Sequence, residues 1–304
     1  MIRKIAITGA TGLIGRELCR KLYENGDEVT IFTRDLIRGK KLLPYLNNFV
    51  EWDYRKPQLW KNEIDGKDAI IHLAGANVLG KRWTDSYKKT IMRSRKVSTK
   101  SLVDAIEMIN NKPKIFISSS AIGYYRDNGN EEITEECASG TDYLSTVCRS
   151  WEYEAMQVEK LGVRRVSIRT GIVLSSKEGA LKKMLLPFKL FLGGSIGDGN
   201  QWFPWIHIDD IIDIYLFVLN NEIVGSINAT APNPVTMKEF VITLGNILHR
   251  PSFFTVPEFV LKLVVGEGAQ SILSSLKVIP KALIQNSFKF KYEFLEPALR
   301  SMLL

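Results

Sequence analysis

The sequence has very few of the residues that build disulfide frameworks and metal centres. Only three of its 304 residues are cysteine, an odd number with no CxxC spacing, and only three are histidine. A disulfide-stapled fold or a zinc site needs such residues in pairs or clusters. The cysteines are Cys19, Cys137 and Cys148. We therefore expect no metal centre and a cytoplasmic, reducing environment.

Long apolar runs are also missing. No stretch reaches the roughly 18 uncharged apolar residues that a membrane helix needs. Arg3 and Lys4 precede an apolar run that resembles the start of a secretory signal, but Gly9 and Gly12 interrupt it and no cleavage-like segment follows. We interpret this run as a first strand and expect no membrane association.

The charges form no concentrated patch. Lys and Arg number 41 against 33 for Asp and Glu, a net charge of +8, and they are scattered along the chain. A nucleic-acid surface would need clustered basic and aromatic residues, and the basic tail from Lys289 to Lys291 is too short. We expect a small-molecule substrate, no nucleic acid, and a monomer or homodimer.

Short apolar segments alternate with segments of helical spacing over the first two thirds of the chain. This alternation is typical of an α/β fold, a doubly wound parallel sheet of the Rossmann type with helices on both faces. The predicted strands are 4–8, 29–33, 49–52, 69–74, 115–118, 166–174 and 227–229, and the predicted helices include 15–25 and 94–110.

The pattern changes after about residue 175. Two glycine-rich turns enclose aromatic and proline residues between Gly193 and Trp205, and helical segments follow Pro232. We predict a dinucleotide-binding Rossmann domain over residues 1–174, completed by about 205–229. Residues 175–204 and 230–304 would form a smaller C-terminal α+β substrate lobe.

A glycine loop joins the first predicted strand to the first helix, with GxxGxxG spacing. The first glycine permits a tight turn, the second lets the backbone approach a pyrophosphate, and the third lets the helix pack closely on the strand. The helix N-terminus then faces the anion. The predicted cofactor-binding residues of this loop are Thr8, Gly9, Thr11, Gly12, Leu13, Ile14 and Gly15.

The end of the second strand predicts which dinucleotide binds. NAD-binding proteins commonly place an acid there for the ribose hydroxyl, whereas NADP-binding proteins place an arginine near the phosphate. Arg34 lies at this position and Asp35 follows it. We predict NADP(H), with NAD(H) as the weaker alternative. Asp53, at the end of the third strand, is predicted either to contact the adenine or to cap a turn.

Four motifs together resemble a known enzyme family. TGATGLIG at residue 8, HLAG at 72, SSSAIGYY at 118 and WIHIDD at 205 resemble an extended short-chain dehydrogenase/reductase. Residues Gly266 to Leu299 resemble the extra C-terminal domain of an atypical subgroup, the epimerase family proteins. These belong to the NAD-dependent epimerase/dehydratase family and are also called nucleoside-diphosphate-sugar epimerases related to cell-division inhibitors. The resemblance adds Leu73, Ala74 and Gly75 to the cofactor site.

The resemblance also identifies a changed catalytic site. The superfamily uses a serine, a tyrosine with a lysine four residues later, and an asparagine. Ser120 matches the serine, but Leu144 and Cys148 occupy the tyrosine and lysine positions, and Arg95 occupies the asparagine position. Tyr143 is one residue too early for the tyrosine.

Three interpretations of this site remain open. In the first, the protein is an NADP-dependent reductase, dehydratase or epimerase acting on a small carbonyl or hydroxyl compound. Ser120 would orient the substrate, Arg95 would supply the missing positive charge, and Tyr124, Tyr143 or Cys148 would move the proton. In the second, it binds NADP(H) and reports it to a partner without turnover. In the third, bound cofactor only stabilises the fold.

The substrate side departs from the nucleotide-sugar enzymes. Phe203 occupies the position where these enzymes commonly carry a phosphate-binding arginine. With Trp202 and Trp205 it would form a flat apolar wall for a ring or acyl group, or else a contact between lobes. Arg82 and Trp83, in the loop after the fourth strand, are predicted lid or substrate contacts.

Overall fold

The computed structural model describes residues 2–256, 266–269 and 273–304. A seven-stranded parallel sheet forms its centre, and we number all strands in chain order. The sheet contains β1 (Lys4–Thr8), β2 (Glu28–Thr33), β3 (Asn48–Glu51), β4 (Ala69–His72), β5 (Ile115–Ala121), β7 (Arg164–Thr170) and β12 (Gly225–Ala229).

The strand order is β12-β7-β5-β4-β1-β2-β3. The chain proceeds outward from β1 to β3, and then returns to place β4 on the other side of β1. Ligands of such sheets bind beyond the carboxyl ends of the strands at this reversal. The order confirms the predicted doubly wound Rossmann fold.

Helices cover both faces of the sheet. Helices α1 (Leu13–Glu24) and α6 (Ile208–Asn220) lie on one face, α3 (Asp85–Glu107) and α4 (Tyr143–Met156) lie on the other, and α2 (Leu36–Leu42) joins β2 to β3. Because successive side chains of a strand point to opposite faces, Ile5 and Ile7 share a core with Leu18 of α1, whereas Ala6 shares one with Leu102 of α3.

The C-terminal lobe contains short strands and helices beside the main sheet. Its main apolar core joins α5 to α7 and to α9, with Phe188, Phe240 and Leu299 fully buried. The lobe elements are β8 (Ile172–Leu174), α5 (Gly179–Lys189), β9 (Gly194–Ile196), β10 (Trp202–Phe203), β11 (Trp205–His207), β13 (Val235–Thr236), α7 (Met237–Leu248), β14 (Phe254–Val256) and α9 (Leu295–Leu303).

The predicted strand 166–174 is two strands in the structure. The chain turns at Gly171, where a Cβ atom would lie 2.5 Å from the carbonyl oxygen of Pro204. Strand β7 therefore stays in the main sheet, and β8 pairs in parallel with β11 instead. The close approach of two backbones is the physical reason for the break, and it requires glycine.

The last described segment is hydrogen-bonded to the Rossmann core. Strand β15 (Lys277–Val278) pairs in parallel with β6 (Glu132–Ile133), and α8 (Lys281–Gln285) follows it. The side-chain amide of Asn228, in β12, donates through Nδ2 to the carbonyl oxygen of Ile279 at 3.1 Å. Residues 270–272, within the segment that carried the C-terminal resemblance, lie outside the described residues.

A second set of hydrogen bonds joins this segment to α6. The fully buried carboxylate of Asp210 accepts hydrogen bonds from the backbone amides of Lys291 and Tyr292, at 2.6 and 3.1 Å. His207 is the N-cap of α6, because its Nδ1 accepts a hydrogen bond from the backbone amide of Asp209.

Within the described ranges, no helix is long and apolar enough to cross a membrane.

Candidate functional site

The glycine loop forms an open anion site at the start of α1. Gly9 has φ of +72°, and a Cβ atom there would lie 2.6 Å from the carbonyl carbon of Leu73. A Cβ atom on Gly15 would lie 2.5 Å from the carbonyl oxygen of Gly9. Both positions therefore require glycine, as the predicted close packing of strand, loop and helix demands.

The first turn of α1 has no side-chain cap. Gly12 is its N-cap, whereas Asp35, Thr84 and Asp142 cap α2, α3 and α4 through their side chains. The uncapped amides and the positive end of the helix dipole are free to bind an anion. These features fit the pyrophosphate of a dinucleotide, with the amides of the first α1 turn as its donors.

Arg34 and Asp35, at the end of β2, have different surroundings. Arg34 is exposed. The carboxylate of Asp35 accepts a hydrogen bond from the amide of Arg38 at 2.9 Å, and so it is used as the cap of α2. Asp53 forms a two-pronged pair with Arg55, with 2.8 and 3.0 Å between nitrogen and oxygen. Of these groups, Arg34 has the charge that suits a phosphate.

A cavity of about 500 Å³ lies between the sheet and the C-terminal lobe, and apolar side chains form most of its wall. It is bordered by the segment after β5, the start of α4, helix α5 and strand β10. Its lining includes Val78, Leu79, Trp83, Arg95, Ile122, Tyr143, Leu144, Val147, Cys148, Lys183, Met184, Trp202, Phe203 and Leu276. Volume and apolar lining are typical of a site for a small organic ligand.

Arg95 is the largely buried cation of this cavity. Its Nη1 donates to the carbonyl oxygens of Ala76 and Ile91, at 3.0 and 3.3 Å. Its guanidinium carbon lies 5.0 Å from the ring centre of Trp151. Burial lowers the pKa of Arg95, but arginine stays protonated in proteins. The helix therefore presents a fixed positive charge to the cavity.

Ser120 does not line the cavity. Its hydroxyl donates to Oε1 of Glu152 at 2.6 Å. Arg169 holds the same carboxylate through Nε and Nη2, at 2.9 and 2.8 Å, and Ser226 donates to it at 3.0 Å. The hydroxyl that was predicted to orient a substrate is thus part of a buried network between α4, β5, β7 and β12.

Two of the three predicted proton-transfer residues, Tyr143 and Cys148, line the cavity, but both are in unreactive states. Tyr143 lines it, but its hydroxyl donates to the carbonyl oxygen of Lys88 at 2.5 Å, and burial raises its pKa. Burial raises the pKa of the Cys148 thiol to about 12, and the charge of Glu152 adds to this shift. A neutral thiol is a poor nucleophile and a poor base. Leu144 also lines the cavity, in place of the usual tyrosine.

The structure brings only some of the predicted substrate residues to the cavity. Trp83 and Trp202 line it. Trp205 is only 1% exposed and packs in the core of the C-terminal lobe, since Pro204 separates it from β10. The Tyr124 ring stacks on the guanidinium of Arg169, and the distance from the guanidinium carbon to the ring centre is 3.6 Å. Arg82 is exposed and lies beside Gly266. These last three residues do not line the cavity.

Two features were absent from the sequence predictions. The Glu152–Arg169 pair joins residues 17 positions apart, and no motif marks it. Helix α5 contributes Lys183 and Met184 to the cavity, although the sequence analysis predicted no helix between residues 175 and 193. The apolar positions Leu181, Leu185 and Phe188 have helical spacing and could have revealed this helix. No cluster of potential metal ligands occurs among the residues that the structure describes.

Comparison with known families matches two parts of the chain. Residues 5–229 match the model of the NAD dependent epimerase/dehydratase family. Residues 256–302 match a domain of unknown function, DUF1731. The first match covers the seven-stranded sheet and the glycine loop, and the second covers most of the C-terminal segment that is hydrogen-bonded to it.

Curated relatives match almost the whole chain. A chloroplastic epimerase family protein, an SDR39U1 homolog of Arabidopsis thaliana, is 39% identical over 98% of this chain and 86% of its own length. An epimerase family protein of Staphylococcus saprophyticus is 40% identical over 97% of this chain and 98% of its own.

Solved structures agree with this result. The crystal structure of human epimerase family protein SDR39U1 with NADPH has a TM-score of 0.89 and 31% identity, and covers 98% of both chains. The nucleoside-diphosphate sugar epimerase of Corynebacterium glutamicum has a TM-score of 0.78 and 34% identity, over all of this chain and 58% of that one. The chain therefore belongs to the NAD dependent epimerase/dehydratase family, as an SDR39U1-like epimerase family protein with an additional C-terminal domain.

Proposed function

We propose that this protein is an NADP(H)-dependent oxidoreductase or epimerase that acts on a small carbonyl or hydroxyl compound in the cytoplasm. The observation that carries the proposal is the position of Arg95. Its guanidinium faces an apolar cavity bordered by the segment after β5. The uncapped first turn of α1, which follows β1 of the same parallel sheet, supplies the anion site for the cofactor.

The choice of NADP(H) over NAD(H) rests on the end of β2. Arg34 is exposed and positively charged there, whereas the competing carboxylate of Asp35 caps α2. The human relative is described with NADPH. Other solved structures of the same fold are described with NAD, including a UDP-glucuronic acid 4-epimerase of Bacillus cereus at 18% identity, a likeness that concerns the fold alone.

Arg95 would perform the electrostatic part of the reaction. A bound nicotinamide would supply or accept a hydride, and Arg95 would face the substrate oxygen that gains or loses negative charge. The fixed guanidinium can stabilise that charge in a site with little water. It cannot deliver a proton, because it does not lose one at any working pH. The proton would come from a water molecule, because the Tyr143 hydroxyl already donates to the carbonyl oxygen of Lys88.

Cofactor selection can be tested by binding measurements. We expect Arg34→Ala to weaken NADPH binding about ten- to 150-fold, the range for a charge-assisted hydrogen bond, and to leave NADH binding unchanged. Arg20→Ala is a matched control, since Arg20 lies on the outer side of α1 and pairs with Glu17 and Glu24. If the wild-type protein binds both dinucleotides equally, the assignment of Arg34 is wrong.

Turnover can be tested by the loss of nicotinamide absorbance with a panel of aldehydes and ketones. We expect Arg95→Met to abolish turnover and to change NADPH affinity by less than about two-fold, and Arg95→Lys to retain part of the activity. Turnover that survives in Arg95→Met would remove this residue from the mechanism.

A second function is supported by the surroundings of Ser120 and Tyr143. Both hydroxyls are engaged by protein groups, Glu152 and the carbonyl oxygen of Lys88, and Cys148 replaces the usual lysine. A protein that binds NADP(H) and signals its presence without turnover needs none of these groups free. Tight NADPH binding without oxidation by any compound of the panel would favour this function over the first.

A further inference from the structure

The positive charge of Arg95 has no negative partner among the residues that the structure describes. Among the described residues, no carboxylate forms an ion pair with it, and its hydrogen bonds go to two backbone carbonyls through Nη1 alone. The edge formed by Nε and Nη2 makes no hydrogen bond within the same described ranges. On this edge two parallel N–H groups are available, which is the geometry that binds the two oxygens of a carboxylate.

The ionisable groups around the guanidinium are neutral at physiological pH. Burial lowers the pKa of His72 to about 3 and raises that of Cys148 to about 12, and it also raises the pKa of Tyr143. His72, Cys148 and Tyr143 therefore supply no counter-charge. The hydroxyl of Tyr87, which also lies near Arg95, donates a hydrogen bond to the carbonyl oxygen of Asn77.

The remaining charged groups of the cavity lining are exposed. Asp142 caps α4 by accepting from the amide of Ser145, and Lys183 lies on the outer part of α5. Both are in contact with solvent, which screens them. The interior of the cavity therefore combines one uncompensated cation with apolar side chains such as Leu144, Val147 and Met184.

An uncompensated charge in such a place is costly, and a ligand of opposite charge would remove that cost. We propose that the cavity binds a monocarboxylic acid with a hydrocarbon body, its carboxylate paired with the Nε–Nη2 edge of Arg95. The inference rests on the proposed function, because it names the substrate class of the same cavity: the reacting carbonyl or hydroxyl group would lie next to this carboxylate, within reach of the same guanidinium. A sugar nucleotide fits less well, because two phosphates and a polar sugar would meet one cation and apolar walls.

The test compares hydrocinnamate with its uncharged amide, which has nearly the same shape. Binding of each is measured by titration calorimetry to the full chain loaded with NADPH. We expect the wild-type protein to bind the acid at least ~10-fold more tightly than the amide, as expected for a charge-assisted contact. Equal binding of the two compounds would overturn the proposal without any variant.

Two substitutions of Arg95, with one control on the same helix α3, test whether Arg95 causes the preference for the acid over the amide. Arg95→Met should bring the acid-to-amide ratio close to one, whereas Arg95→Lys should keep part of the preference. Arg93→Met is the matched control, since Arg93 is exposed on the same helix and its loss changes the net charge equally. NADPH affinity should stay within about two-fold in all variants.

The outcomes separate this inference from the proposed function. If Arg95→Met weakens NADPH binding and leaves the acid-to-amide ratio unchanged, the cation serves the cofactor and the inference is wrong. Tighter binding of UDP-glucose than of hydrocinnamate would also overturn it. A preference for the acid in a protein that oxidises no NADPH would refute the proposed redox activity and leave the substrate class standing.

Discussion

The Glu152–Arg169 pair should be one of the most sensitive points of the fold. The side chains are 11% and 5% exposed, and the carboxylate accepts four hydrogen bonds, from Ser120, Ser226 and two nitrogens of Arg169. Glu152→Met would leave the guanidinium buried and, among the described residues, with only the Tyr125 hydroxyl and the Glu135 carbonyl oxygen as hydrogen-bond partners. Removing one partner of a buried pair costs about 3–5 kcal/mol, a large part of the 5–15 kcal/mol by which proteins are typically stable.

The double substitution distinguishes charge pairing from simple packing. Glu152→Met with Arg169→Met removes both charges together, so we expect it to cost less than the sum of the single substitutions. The free energy of unfolding is measured by urea titration with tryptophan fluorescence, without cofactor. Asp104→Asn is the control, because Asp104 belongs to an exposed pair with Lys100 and should cost less than about 0.5 kcal/mol. A cost below about 1 kcal/mol for Glu152→Met would refute the reasoning.

Three further results are expected. Gly15→Ala should abolish NADPH binding in titrations and lower stability, because its Cβ atom would lie 2.5 Å from the Gly9 carbonyl oxygen; unchanged binding would contradict the close packing. His72 is neutral when folded, since burial lowers its pKa from 6.5 to about 3. The unfolded chain therefore binds the extra proton, and urea titrations should show stability falling as the pH drops below 6.5, by up to about 1.4 kcal/mol per unit; a flat profile would exclude a buried neutral ring. Iodoacetamide should modify Cys148 only after unfolding, as judged by mass spectrometry, since its pKa is about 12.

The sheet could be predicted because its signals are local. Each parallel strand is a short apolar run, and the loop glycines punctuate the first strand and helix, so β1 was predicted with its observed bounds and α1 within two residues. Helix α3 begins at Asp85, whereas the apolar periodicity predicts only the part of it from residue 94 onward. Its first turns are polar and exposed and have little apolar periodicity, and only the Thr84 cap indicates its start.

The candidate site was less predictable, because its composition depends on the direction in which each side chain points in the folded chain. Ser120 matches a family motif, yet its hydroxyl points to Glu152, a partner that only the packing of α4 on the sheet brings near. Trp202 and Trp205 have similar surroundings in the sequence, but they lie in different strands, β10 and β11, and only Trp202 lines the cavity. The sequence alone does not show that Arg95 has no carboxylate partner among the described residues.

The hydrogen bonds between the final segment and the sheet also bear on how the chain is made. Asp210 and Asn228 are completely buried, and these partners lie 51 to 82 positions further on, at Ile279, Lys291 and Tyr292. During synthesis on the ribosome, the Asp210 carboxylate and the Asn228 side-chain amide lack these hydrogen bonds until residues 279–292 have been added. A buried polar group without its partner is costly, so we expect the Rossmann portion to reach its full stability only after this segment has been synthesised.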